Sequence, residues 1–254
     1  MHMPTTARTM HVIYRHIPIS AEKNSRDPNK SRPEWFKYKT CFHNLLTTIR
    51  SDPMGANVKL LILFDGTPDE FLEDFIATYY ANPDLGLSLQ LIKGGSNGNS
   101  FLIALAMLSH SDIPDDDLIY FLENDYMHQH GWVSKTFEIF NSKHPVDFVS
   151  LYDHRDKYDF EMYDDLTSKI VYSDTHHWRT APSTCGTFIL EKGAVVRDYD
   201  LWTSNLVDYI LFPTLINDRK RMLLTPVPGL ATHCMQGYLS PTIDWDSLAR
   251  QAST

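Results

Sequence analysis

Acidic, glycine-rich and histidine-bearing groups stand along this chain at intervals that suit chemistry on a phosphorylated ligand. Glu123-Asn124-Asp125 sets two carboxylates two residues apart behind an apolar run. Mg2+ or Mn2+ takes such oxygens, commonly one or two carboxylates together with substrate phosphates. The pair equally reads as solvated charge dressing a strand end. Lys93-Gly94-Gly95-Ser96-Asn97-Gly98-Asn99-Ser100 leads into an apolar stretch. Glycines and backbone N–H groups at a helix start suit the close approach of an anion. The segment fits neither Walker A nor GxGxxG, which disfavours an ATPase or a Rossmann dehydrogenase. Asp65-Gly66 follows another apolar run, where a carboxylate accepts hydrogen bonds from a ribose or base, or simply turns the chain.

Two later groups can complete a site. Asp208 sits in the otherwise apolar Leu206-Val207-Asp208-Tyr209-Ile210, and His233 follows Gly229-Leu230-Ala231-Thr232. Each has an ordinary alternative, a solvated helix residue and a packed histidine. His176-His177-Trp178-Arg179 lacks the i,i+4 spacing of a helical zinc site, so zinc is not expected. Trp178 and Arg179 could instead stack on and bind a sugar or phosphate.

The elements that must hold these groups follow from periodicity. Apolar runs of strand length occupy 11–14, 58–64, 87–92, 118–122 and 146–151, with helical spacing between them. The first helix is expected from about residue 31, burying Trp35, Tyr38, Phe42, Leu45 and Ile49 and ending before Pro53. Thr67-Pro68-Asp69-Glu70 is a capping box with Pro at N1, followed by Phe71, Phe75 and Tyr79 every four residues. Further helices are expected over 100–108 and 132–140. Beyond residue 153 the pattern loosens: strands over 168–173, 185–190 and 221–225, and a helix over about 204–216 kinked at Pro213. Strand and helix alternating in this way imply a mostly parallel sheet covered on both faces, with ligands at the carboxyl ends of its strands. The acidic run Asp115-Asp116-Asp117 lies at the other end of its strand and is expected to be solvated charge.

Composition sets the outer limits. The chain has 254 residues, 43% hydrophobic and 22% charged, with no low-complexity block, which excludes a disordered or fibrous protein. A chain of this length buries about 70–75% of its unfolded surface, enough to fold without disulfides. Its longest apolar run, Phe101 to Leu108, is too short for a membrane span, and its first ten residues lack the apolar core of a secretory signal. Three cysteines, odd in number and without CxxC spacing, suggest free thiols and a cytoplasmic setting. A net charge of −9 disfavours nucleic acid as a partner.

The order of parts resembles the GT-A fold of nucleotide-sugar-dependent glycosyltransferases, closest to the inverting family that includes cellulose and hyaluronan synthases. LIYFLENDY at 118–126 resembles that family's DXD strand, and GGSNGNSFLIAL at 94–105 its glycine-rich loop with following Asn. LVDYIL at 206–211 is similar to its acidic base motif, and GLATH at 229–233 to the site of its metal-binding His. Glu123 stands where the family has Asp, Val207 replaces the first acid of the base motif, and QxxRW is absent. The resemblance implies an α/β, GT-A (Rossmann-like) sheet with a smaller mixed subdomain on the acceptor side. It would form one domain over 1–254, with a nucleotide-sugar half at 10–126 and an acceptor-binding and catalytic half at 127–254.

By the same resemblance, Asp125 and His233 hold Mn2+ or Mg2+, with Glu123 on the metal or the ribose. Asp65, assisted by Arg15, meets base or ribose, and Gly95, Asn97, Asn99 and Asn124 line the donor pocket. Asp208 is the general base of an inverting transfer. Asp153, His154, Trp178 and Arg179 face a glycan or lipid-linked saccharide acceptor, as in polysaccharide biosynthesis. The competing readings are a sugar nucleotidyltransferase or phosphohydrolase on a similar sheet, and a non-catalytic carbohydrate-binding protein. The glycine-rich basic loop that a nucleotidyltransferase carries after its first strand is absent after Tyr14.

Overall fold

The structure, a computed structural model, describes residues 8–18 and 31–252. Most of the amino-terminal stretch just judged against a secretory signal lies outside those residues. In chain order the strands and helices begin with β1 (Met10–His16), α1 (Tyr38–Arg50), β2 (Val58–Asp65), α2 (Pro68–Glu73), α3 (Phe75–Tyr80), β3 (Ser88–Ile92), α4 (Asn97–Ser109) and β4 (Leu118–Glu123). The chain continues with β5 (Tyr126–His128), α5 (Trp132–Phe140), β6 (Phe148–Val149), α6 (Asp156–Asp159), β7 (Ile170–Tyr172) and β8 (His177–Thr180). It closes with β9 (Phe188–Glu191), α7 (Lys192–Arg197), α8 (Tyr199–Ser204), α9 (Asp208–Asn217), β10 (Leu223–Val227), β11 (Ala231–His233) and α10 (Trp245–Ala252).

Nine strands form one sheet in the order β3-β2-β1-β4-β9-β6-β10-β8-β7. The β3-β2-β1-β4 block is parallel, β9 runs antiparallel to β4 and β6, and β6 is parallel to β10. Both faces are covered, as the unbroken apolar strands require. Along β4, Leu118, Tyr120 and Leu122 face one core with Phe42 and Trp132, while Ile119 and Phe121 face the other with Phe188 and Trp202. That alternation is the period-two geometry of a strand buried on both sides.

Register aligns the carboxyl ends. Arg15 on β1 pairs with Glu123 on β4. A separate two-stranded ribbon of β5 and β11 sets His233 opposite Tyr126, immediately after Asp125. The Cys234 N–H donates to the Asp125 carbonyl at 2.9 Å, extending this clamp by one step.

Several elements differ from the sequence expectation, each for a local reason. Helix α1 begins at Tyr38, because the segment around Pro33 turns and Lys37 is extended. The capping box at Thr67 forms, but the helix it starts breaks at Asp74, which becomes the N-cap of α3 and pairs with buried His16 at 3.1 Å. The strand expected over 146–151 shortens to β6, and the helix expected over 204–216 divides between α8 and α9, with Pro213 inside α9. Asp117 is buried and accepts from the Thr9 N–H and from His11, so it is not solvated charge. Helix α10, unforeseen, packs Trp245 and Ala249 against Cys41, Met127 and Cys234. Among the described residues, no helix is long and apolar enough to cross a membrane.

Phe188 is 1% exposed and packs its ring on Phe101, Phe121, Trp202 and Phe212. Phe188→Ala should therefore lose about 3–5 kcal/mol of stability in denaturant titration, the usual cost of emptying such a site.

Candidate active site

Arg15 is the centre of one corner at the carboxyl edge of the sheet. Its guanidinium donates to the Asn97 side-chain oxygen at 2.6 Å, the Asn97 carbonyl at 3.2 Å and the Gly186 carbonyl at 2.8 Å. Glu123 lies 3.7 Å from the same group and accepts from Asn97 Nδ2 at 2.6 Å and Thr187 Oγ1 at 3.1 Å. Burial draws the Arg15 guanidinium down from its usual value, and Glu123 opposes this. A Cβ on Gly186 would stand 3.1 Å from the guanidinium, so a small residue suits the close approach there. Four chain segments are fastened at this point.

The glycine loop is fixed by Asp65. One carboxylate accepts from the Gly94 N–H at 2.7 Å, the Gly95 N–H at 3.0 Å and Ser100 Oγ at 2.7 Å. Both its oxygens are engaged, so Asp65 positions the loop rather than presenting a free acceptor to base or ribose. Asn99 donates to the Gly94 carbonyl and Asn124 is buried against His16, so both serve internal contacts. Gly95 adopts φ +69° and is exposed. Asn97 remains exposed at the tip of α4.

Beside this corner, Asp125 Oδ2 meets His233 Nε2 at 2.9 Å and Arg32 at 2.7 Å. Burial works to raise the Asp125 pKa, but His233 and Arg32 outweigh it and hold the carboxyl well below the usual carboxylate range. Tyr126 stacks flat on His233 at 5.0 Å and fixes its plane. The other oxygen, Asp125 Oδ1, is buried without a hydrogen-bond partner. Among the described residues, no three His, Cys, Asp or Glu side chains form a cage for an ion. Two donors with one free carboxylate oxygen nonetheless fit a hard cation that completes its shell from phosphates and water. Glu123 accepts one side-chain hydrogen bond on each oxygen and keeps lone pairs on both.

Asp208 stands at the start of α9, within electrostatic reach of this corner. Its pKa is raised, first by burial and then by the Glu123 charge, against a hydrogen bond from the Tyr209 N–H and the Lys157 charge. Cys185 feels the charge of both Glu123 and Asp208, its thiol 2.7 Å from Tyr126 Oη and pushed up to about 12, first by burial. It is a neutral thiol at neutral pH. His154 contacts Thr184 Oγ1 at 3.1 Å, and burial lowers its pKa, so it too is neutral.

The residues expected to face an acceptor divide differently. Trp178 is fully buried, with its indole N–H on Ser173, and offers no ring face to a ligand. Arg179 and Asp153 form a buried ion pair at 2.8 Å, and Tyr158 donates to the same Asp153 carboxylate. This pair braces the subdomain. Of the four, His154 alone borders the Cys185 side of the site.

Sequence reasoning missed Arg32, Thr187, Cys185 and Lys157. Each lies distant in sequence from the strand end it serves and carries no motif of its own. The described residues also enclose cavities of about 500 and 370 Å3, one beside α4 near His11 and Lys59, the other between α1 and α3 near His43 and Tyr79. Neither is lined by any of these groups.

No family model and no curated sequence matches the chain. Its structure is similar to GalNAc-T7 solved with UDP, GalNAc and Mn2+, at 9% identity and a TM-score of 0.53, over 91% of this chain and 45% of that one. The chain thus spans less than half of that protein. It is also similar to 4-diphosphocytidyl-2C-methyl-D-erythritol synthase from Anaerococcus prevotii, at 9% identity and a TM-score of 0.50, over 97% of this chain and 98% of that one. These likenesses establish the fold: an α/β, GT-A-like architecture with a large, mostly parallel sheet flanked by helices.

If Arg179 and Asp153 brace rather than bind, Arg179→Met should cost about 3–5 kcal/mol by leaving a buried carboxylate unpaired. Replacing both partners by apolar residues should recover much of that loss in thermal unfolding.

Proposed function

We propose that the protein is a glycosyltransferase that moves a sugar from a nucleoside diphosphate sugar to an acceptor hydroxyl, with inversion. What supports this reading is a carboxylate clamped to a histidine at the carboxyl edge, together with a second carboxylate, raised by burial, that feels the charge of neighbouring Glu123. The first, Asp125, suits a diphosphate-bound cation; the second, Asp208, suits a base. Asp125 and His233 would hold Mn2+ or Mg2+. A cation there supplies the charge that offsets repulsion between the carboxylates and a diphosphate, about 4 kcal/mol per pair of unit charges at 4 Å and an effective dielectric near 20.

The protein's own groups do the rest. Arg15 and Asn97 hold Glu123 in place beside the donor. The exposed Asn97 and Gly95 would line the donor pocket. Asp208 would accept the acceptor's proton as its oxygen attacks the face opposite the leaving group. Carboxyl-edge residues of 10–126 would form the donor half, and 127–254 the acceptor half, where His154 would meet a glycan or lipid-linked saccharide. The three free thiols fit a cytoplasmic place in polysaccharide biosynthesis.

Nucleotidyl transfer is the second reading, favoured by the match to a cytidylyl-carrying synthase over nearly the full length of both chains. Against it, residues 15–30 contain no glycine.

Asp208→Asn should slow transfer by about 10²–10⁴-fold and leave donor affinity in calorimetry unchanged. Unchanged turnover would remove the base assignment. Because burial raises the Asp208 pKa, the rate should fall on acidification at a pH above the ordinary carboxylate value of 3.8. The sign for stability is opposite: the ionised form is penalised, so Asp208→Asn should be at least as stable as the parent near neutral pH.

A further inference from the structure

Arg32 has no role in the chemistry described so far, yet it makes the shortest polar contact of Asp125. One guanidinium nitrogen lies 2.7 Å from Asp125 Oδ2, and the other donates to the Cys234 carbonyl at 2.8 Å. The group is planar over Phe36 at 4.5 Å and only partly exposed. Its segment is tied down by the Gln236 N–H donating to the Ser31 carbonyl at 2.9 Å, on the loop that follows His233. The same Oδ2 also meets His233, so a single carboxylate oxygen serves two nitrogen partners while Oδ1 has none.

We propose that Arg32 is the resident counter-ion of Asp125, and that a divalent cation and Arg32 compete for this carboxylate. The inference rests on the reading of Asp125 and His233 as the cation-holding pair. Its physical basis is charge. A buried carboxylate requires one compensating cation, and the guanidinium already provides it. A second cation on the same carboxylate would face a like charge at close range with little solvent between them. The guanidinium must therefore leave Asp125 when an ion binds. A diphosphate gives it new oxygens, since its planar fork matches phosphate geometry. Exchange is then favourable when nucleotide and ion arrive together, and unfavourable for the ion alone.

The test is Mn2+ binding without nucleotide, read from the electron paramagnetic resonance signal of free Mn2+, for wild type, Arg32→Gln and the double variant Arg32→Gln/His233→Ala. Arg32→Gln should bind Mn2+ at least about ten-fold more tightly than wild type, a shift of about 1.4 kcal/mol, and the double variant should lose that gain. Arg32→Gln binding no more tightly than wild type overturns the competition, as does a gain that survives loss of His233. Adding UDP to wild type separates the two levels. If wild type takes up Mn2+ with UDP while Arg32→Gln gains nothing, the competition fails and the cation site stands. If neither Arg32→Gln alone nor wild type with UDP takes up Mn2+, both fall.

Discussion

Two carboxylates closing one strand have to be answered by positive charge, and this constraint organises the whole carboxyl edge. Glu123 ends β4 and Asp125 lies in the turn that follows, the second buried and the first partly so. An unpaired charge in such a place costs several kcal/mol. Arg15 reaches Glu123 from the neighbouring strand and Arg32 reaches Asp125 from the loop before α1, while the His233 ring, at the end of β11, hydrogen-bonds the same Asp125 oxygen. Each carrier also ties its own segment: Arg15 grips the start of α4 and the approach to β9, Arg32 the turn after β11. Neutralising the strand end and assembling the corner are therefore one event.

The sheet was legible because its signals are local. Apolar runs for β1, β2, β3 and β4 and the capping box at Thr67 need no distant partner to be recognised. The glycine loop before α4 and the E-x-D after β4 were readable for the same reason. Where reading failed, a tertiary contact had overruled the pattern. Asp74 leaves the helical register where it pairs with buried His16, and Trp178, apt for sugar stacking by type, is buried in the apolar core on one face of the sheet. Arg32 was invisible as a site residue, since nothing in its neighbourhood predicts a contact 93 positions away.

The two sides of the corner differ in how far the structure commits them. Around Arg15 and Asp65 the side chains are locked in a network of short hydrogen bonds, and the Asp65 carboxylate is spent on the glycine loop. On the opposite side, Asp153 and Arg179 act as internal bracing under Tyr158, and exposed apolar side chains at Leu206, Val207, Tyr209 and Ile210 flank Asp208.

The central claim, that this corner moves a sugar from a nucleoside diphosphate to an acceptor hydroxyl, is tested most directly by the product. The protein is incubated with Mn2+, glycan and lipid-linked saccharide acceptors and UDP-, GDP- and dTDP-sugars, and separately with nucleoside triphosphates and sugar phosphates, and the released phosphates and the glycosylated acceptor are identified. A free nucleoside diphosphate from the first set, with no pyrophosphate from the second, is the predicted result. Pyrophosphate from the second set with nothing released from the first would contradict it.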